Sequence, residues 1–364
     1  MPDFKSCVNQ VDSSSATESA VAPRDTIELT VHRVWQEVLG VGMIALHDDF
    51  FDLGGDSLLA IRLIGACNTA FGATLPMSTL FENRTIAAMA NILRDKNANL
   101  PTSRLVTLRA GAPGVTPLFC VHPHGGTAFC YSAFAGHLPP SLPVLGLQAA
   151  GLDEGEAPAV SVTAMAADYI EAVRAVQPAG PYRLLGYSFG GLVAYEMARQ
   201  LLAGGARVSF LALLDAPLLK GRSDPTLPAS THAEALATLA EELGLPPAVA
   251  PHSNVSELFA AASAAGLVPP FLSAAQAARI AAVHFNTARI AASFEPQETL
   301  ALPVLQVRAM QSATPAADWS PFVTGHVETH DLDCTHHGMI AAGNAPLLAA
   351  IVAGSLIASE TRDG

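Results

Sequence analysis

The sequence predicts two units: a small four-helix domain, then a mostly parallel sheet covered by helices and interrupted by a helical insertion. Three observations carry that expectation. Over residues 26–97 apolar residues recur at helical spacing with no strand period among them. Beyond residue 104 short apolar runs alternate with helical stretches, the pattern of a parallel sheet. Between about 218 and 293 that alternation stops, and Ala-rich, helix-like sequence replaces it.

Size and composition agree. A chain of 364 residues holds one large α/β domain and something small beside it, and a hydrophobic content of 50% excludes a disordered chain. The net charge is −13 and no basic run occurs, so no nucleic-acid surface is expected. The first twenty residues contain no apolar core of a signal peptide, and the longest apolar stretch, 347–358, is too short to span a bilayer. That stretch reads as a buried terminal helix, and the protein as cytoplasmic with no membrane span. The five cysteines (Cys7, Cys67, Cys120, Cys130 and Cys334) are odd in number and show no C-x-x-C spacing. They read as buried free thiols rather than a disulfide framework or a zinc site.

Taken in order, residues 1–25 are rich in Ser and Ala and read as a flexible arm. Ile27, Leu29, Val31, Val34, Trp35, Val38 and Leu39 make one apolar helix face, which stops at Gly40-Val41-Gly42. A loop carrying DDFFDLGGDS leads into a second helix, from Ser57 to about Gly72. A short helix around Thr79 to Phe81 follows Pro76, and Thr85 caps a last one through IAAMANILRD. Residues 98–104 are polar and interrupted by Pro101, as a linker is. In the second domain, 105–364, strands are expected at 118–121, 144–147, 182–186, 208–214, 304–307 and 326–332, with helices at 162–176 and 191–204. The insertion at about 218–293 is expected to lie above the sheet edge.

Ser57 follows two glycines and Asp56 at the start of an apolar helix. A helix N-terminus offers unpaired backbone N–H groups and a positive dipole end, which favour a phosphodiester on that serine. Gly54 and Gly55 leave the loop uncrowded, so that a modifying enzyme reaches the hydroxyl. On its own the tetrapeptide need be no more than a helix cap. The run DDFFDLGGDSLLAIRL, followed by LPMSTLFENRTIAAMA, resembles the peptidyl carrier proteins of nonribosomal peptide synthetases. The resemblance implies that a phosphopantetheinyl transferase places a 4′-phosphopantetheine arm on Ser57. Many relatives have His where this chain has Asp56. A thioester on such a tether raises the local concentration of substrate at a neighbouring site.

That neighbouring site is written in the second domain. Strand-like YRLLGY runs into Ser188, followed by Phe189-Gly190-Gly191 and the helical LVAYEMARQLL. This is the G-x-S-x-G elbow in strand–turn–helix context, which points to an α/β hydrolase. Small residues at Gly186 and Gly190 permit the sharp turn. A nucleophilic serine needs a base and an orienting acid, in chain order Ser, Asp, His for this fold. The histidine candidates lie in DCTHHGMI after the last strand. The acid candidates are Asp215, which ends the strand VSFLALLD, and Asp318, beyond the strand of VLQVRAM. The loop VHPHGGTAF follows the first expected strand, where such enzymes carry part of their oxyanion hole. Read without these neighbours, it is an ordinary glycine turn. His122, His124, His326, His330, His336 and His337 show no H-E-x-x-H spacing, so no metal site is signalled.

From about 104 to 360 these segments resemble the type I thioesterases of peptide synthetases, and the resemblance implies that the insertion at about 218–293 is their helical lid. The register of the family's closing His-x-x-Met pattern implies His336 as the base and leaves His337 a bystander. LLDAP resembles the family's acid motif, which favours Asp215 over Asp318. The resemblance of VHPHGG to the HPxGG loop implies the backbone N–H of His124 as one oxyanion donor, beside that of Phe189. Together these features point to release of a tethered acyl or peptidyl chain, with upstream synthetase modules as partners. A stand-alone esterase or lipase has no use for a carrier, and a carrier scaffold with an inactive hydrolase has no use for a full Ser, Asp, His set.

Overall fold

The computed structural model describes residues 23, 25–55, 57–95, 104–153, 155–218, 236–237, 239–240, 245, 254–264 and 274–363. The expected N-terminal arm, apart from residues 23 and 25, and the linker before Arg104 lie outside the described residues, as do Cys7, Asp56 and much of 219–273.

The first unit contains α1 (Thr26–Leu39), α2 (Ser57–Phe71), α3 (Thr79–Glu82) and α4 (Ile86–Arg94). Asp25 opens α1 by accepting the Glu28 N–H at 2.8 Å, and Thr85 opens α4 by accepting that of Ala88 at 3.2 Å. The fully buried Trp35, Phe50, Leu63, Leu80 and Met89 form the core of the bundle, with Trp35 set edge-to-face on Phe50 at 5.3 Å.

The second unit is a seven-stranded sheet. In chain order its elements are β1 (Leu105–Arg109), β2 (Leu118–Val121), α5 (Ser132–His137), β3 (Val144–Leu147), α6 (Val162–Val176), β4 (Tyr182–Tyr187), α7 (Phe189–Ala203) and β5 (Val208–Leu214). Then come α8 (Val255–Ala264), α9 (Ala274–Ala292), β6 (Val304–Ala309), β7 (Val327–Leu332) and α10 (Ala345–Asp363). The spatial order is β1-β3-β2-β4-β5-β6-β7, parallel throughout except that β1 runs antiparallel to β3. β2 is buried along its whole length, and β4 and β5 nearly so, which is why they read as unbroken apolar runs. The six expected strands are all present within one or two residues.

Two details differ from expectation. β1 is not among the expected strands. It is an edge strand whose burial alternates, so LVTLR shows only two inward residues, Val106 and Leu108. The terminal helix α10 is not buried all round. Leu348, Ala349, Val352 and Leu356 face the core, while Leu347 and Ile357 are 53% and 60% exposed.

The two units touch at the β1 edge. The Arg84 guanidinium donates to the Leu108 carbonyl at 2.8 Å, and the Met77 N–H donates to Asp153 at 3.2 Å. Within the insertion, the described residues are helical where they form elements, as α8 and α9.

Candidate active site

The carboxyl ends of β4 and β5 lie side by side, which is where an open α/β sheet presents its functional groups. β4 ends at Tyr187, and Ser188 takes φ 57° and ψ −127° before α7 begins at Phe189. That conformation is strained for a residue with a side chain, and such strain is held where the surroundings dictate it. Here the Ser188 N–H is tied to the Leu214 carbonyl at 2.8 Å, and the Gly191 N–H to the Ser188 carbonyl at 2.9 Å. The turn closes so tightly that a Cβ on Gly186 would stand 2.0 Å from the Gly190 carbonyl oxygen. One on Gly190 would stand 2.3 Å from that of Val121. Only glycine fits either position, so the elbow's spacing follows from backbone contact.

Asp215 follows β5 with φ 42°, a second strained residue, and is fully buried. Its backbone N–H donates to the Val307 carbonyl at 2.7 Å, and its Oδ1 accepts the Ala309 N–H at 3.0 Å. Oδ2 is left for His336 Nδ1, at 2.6 Å. A carboxylate can only accept, so Nδ1 carries the imidazole proton. Nε2 therefore accepts the Ser188 hydroxyl, at 2.9 Å. An unbroken line runs from buried carboxylate through imidazole to hydroxyl, the arrangement that lets a serine lose its proton as it attacks.

The histidine is held from the other side by Tyr187. Its ring stacks on His336 at 4.8 Å and its hydroxyl donates to the His336 carbonyl at 2.8 Å. Beneath lies Tyr131, fully buried, whose hydroxyl donates to the Val121 carbonyl at 2.6 Å and accepts the Tyr187 N–H at 2.9 Å. Burial pushes the Tyr131 phenol well above its ordinary pKa, so this bridge stays protonated. Tyr187 stands at a variable position of the elbow motif and Tyr131 in no motif, so the role of each is visible only once the folded chain brings its partners together.

The remaining candidates separate cleanly. Asp318 is exposed, and its Oδ1 accepts the Ser320 N–H at 3.0 Å, opening a single turn at Ser320–Phe322. His337 begins the turn after His336, with its ring set edge-on to that of His336 at 5.3 Å. His122 is fully buried and bonded through Nε2 to the Tyr169 hydroxyl at 2.6 Å. Among the described residues no group of three or more His, Cys, Asp or Glu side chains is gathered as a metal would need.

The loop after β2 packs against the elbow, with the His124 ring stacked on Phe189 at 5.1 Å. Both residues expected to offer oxyanion donors are thus neighbours. Ser57 begins α2, so its position is a helix N-terminus as the sequence implies. The glycines before it do more than leave room. Gly54 has φ 92°, and a Cβ on Gly55 would stand 2.3 Å from the Phe50 ring. The loop is folded onto the bundle core, and this holds the start of α2 in place. Unpaired N–H groups at a helix start suit a phosphodiester there.

Comparison with known proteins adds the family. The model of the thioesterase domain matches residues 116–355, and that of the phosphopantetheine attachment site matches residues 30–93. The chain is 34% identical to malpinin synthetase of Mortierella alpina over 89% of its own length and 4% of that protein's. It is 33% identical to the dimodular nonribosomal peptide synthase of Bacillus subtilis, over 88% of its own length and 14% of the relative's. Its fold is similar to the crystal structure of holo-AB3403, a four-domain nonribosomal peptide synthetase bound to AMP and glycine. There the TM-score is 0.65 and the identity 27%, over 98% of this chain and 27% of that one. The chain therefore spans a small part of the length of these three proteins.

Proposed function

Since this chain belongs to the thioesterase domain family and carries a phosphopantetheine attachment domain ahead of it, we propose that it releases an acyl or peptidyl chain in nonribosomal peptide biosynthesis. The observation that carries this is the hydrogen-bonded line Asp215–His336–Ser188 in a chain that also holds a carrier domain. The phosphopantetheine arm, attached to Ser57, supplies a flexible tether whose terminal thiol holds the acyl group as a thioester. Residues 26–97 form the carrier, residues 105–364 the thioesterase, and the insertion at about 218–293 its lid. Upstream synthetase modules load the arm, a phosphopantetheinyl transferase installs it, and the cytoplasm is where both work.

His336 Nε2 takes the proton of Ser188 as Oγ bonds to the thioester carbon. The backbone N–H groups of Phe189 and His124 receive the oxyanion. Asp215 keeps the proton on Nδ1 and stabilises the imidazolium that forms. His336 then returns its proton to the leaving sulfur, and the acyl group rests on Ser188. Water, or a hydroxyl or amine of the acyl chain, next gives a proton to His336 and attacks the ester carbon; His336 passes that proton to Ser188 Oγ as the acyl–oxygen bond breaks, and a free acid, a lactone or a lactam departs. The full-length chain should cleave soluble acyl thioesters of N-acetylcysteamine, and Ser188→Ala should lower that rate by several orders of magnitude. An unchanged rate in that variant would contradict the proposal.

A further inference from the structure

The lid helix α9 reaches the loop after β2 through one hydroxyl. Thr287 is fully buried, and its Oγ1 lies 2.9 Å from the His124 carbonyl oxygen and 3.1 Å from His124 Nδ1. The same hydroxyl also lies 2.8 Å from the His284 carbonyl, one turn earlier in α9. A threonine hydroxyl has a single proton, which serves one of the two carbonyls at a time. Toward Nδ1 it can only accept, so His124 carries its proton on Nδ1. With its proton directed to the His124 carbonyl, this one side chain grips His124 at both its ring and its carbonyl.

The surroundings leave His124 little room to move. Its ring is stacked on Phe189 on one side and set 5.7 Å from the ring of His284. Val283, one residue before His284, packs so closely that a Cβ on Gly126 would stand 2.6 Å from its Cγ1. A residue fixed at its ring and its carbonyl, and following Pro123, has few ways to turn its own N–H. Resting on the reading of that N–H as an oxyanion donor, we infer that Thr287 is a positioning residue. It sets the second donor of the oxyanion hole from the lid, across 163 positions of sequence. Oxyanion donors act through distance and aim, so slackening one should lower turnover less than deleting it, by tens rather than hundreds. Substrate affinity should hardly change, because the bond matters most once the oxyanion forms.

Thr287→Val keeps the shape and removes the hydroxyl. With the full-length chain and an acyl N-acetylcysteamine thioester, kcat should fall by about 10- to 30-fold with KM within about twofold. Thr287→Ser, which restores the hydroxyl, should recover kcat to within about threefold of wild type. A trifluoromethyl ketone, whose adduct with a serine places an oxyanion in the hole, should lose affinity by the same factor as kcat/KM. A merely structural role would not move that affinity in step. If the valine variant does not fold, Thr287→Ala set against Thr287→Ser makes the same comparison. A valine variant with wild-type kcat, or one with reduced kcat and undiminished ketone affinity, would overturn the inference. Ser188→Ala is assayed alongside. If it is inactive while the valine variant is normal, only the role of Thr287 falls; if it is active, the release mechanism falls as well.

Discussion

Tyr187, the residue before Ser188, lies flat on the His336 ring at 4.8 Å and donates its hydroxyl to the His336 carbonyl at 2.8 Å. The strand that delivers Ser188 therefore also braces His336, which arrives from 148 residues further along the chain. Tyr187→Phe keeps the stack and removes the hydrogen bond, worth about 1 kcal/mol. The expected outcome is a fall in kcat/KM of about fivefold, with a larger loss in Tyr187→Ala, read by steady-state thioester hydrolysis.

Asp215 and Asp318 make opposite predictions. Asp215 is buried with both oxygens engaged, one by Ala309 and one by His336, whereas Asp318 is exposed and opens a surface turn. Asp215→Asn should slow acyl-enzyme formation by about four orders of magnitude, since an amide favours the wrong imidazole tautomer. Asp318→Asn should stay within a few-fold of wild type. Burst kinetics with a chromogenic thioester measure both, and circular dichroism establishes that each variant is folded.

Much of this site is legible in the sequence because its chemistry is written in local backbone requirements. GYSFGG needs glycine at 186 and 190 for contact reasons, and an acid at the end of an apolar strand has few places to be. β1 is less legible because an edge strand buries only alternate residues, and its partner β3 lies some forty residues later. Tyr131, Tyr187 and Thr287 are hidden for a related cause. Each acts through a partner far away in sequence, and a lone threonine in an Ala-rich helix has no local signature.

The elbow itself predicts a folding defect. Gly186→Ala places a Cβ 2.0 Å from the Gly190 carbonyl, against backbone that cannot swing aside. Overpacking of this kind costs about 1–3 kcal/mol, which in a domain of this size lowers Tm by about 2–12 °C. Ser188→Ala, which adds no atom to the elbow, should melt near wild type. Differential scanning calorimetry separates the two.

Thiol reactivity gives a test away from the active site. Burial pushes Cys67 up to about 12 and Cys120 well above the ordinary thiol range, so neither forms thiolate at pH 8. Cys130 is partly exposed. Brief iodoacetamide treatment of the native chain, mapped by peptide mass spectrometry, should label Cys130 ahead of Cys67 and Cys120. In denaturant all three should react alike.

The central claim is that an acyl group held on the carrier passes to Ser188 and leaves. The most direct test loads the apo chain with an acyl-coenzyme A and a phosphopantetheinyl transferase, then follows intact mass over time. Wild type should gain the acyl-pantetheine mass and fall back to the pantetheine mass, Ser188→Ala should retain the acyl group, and Ser57→Ala should gain nothing. A Ser188→Ala chain that sheds its acyl group as fast as wild type would contradict the account.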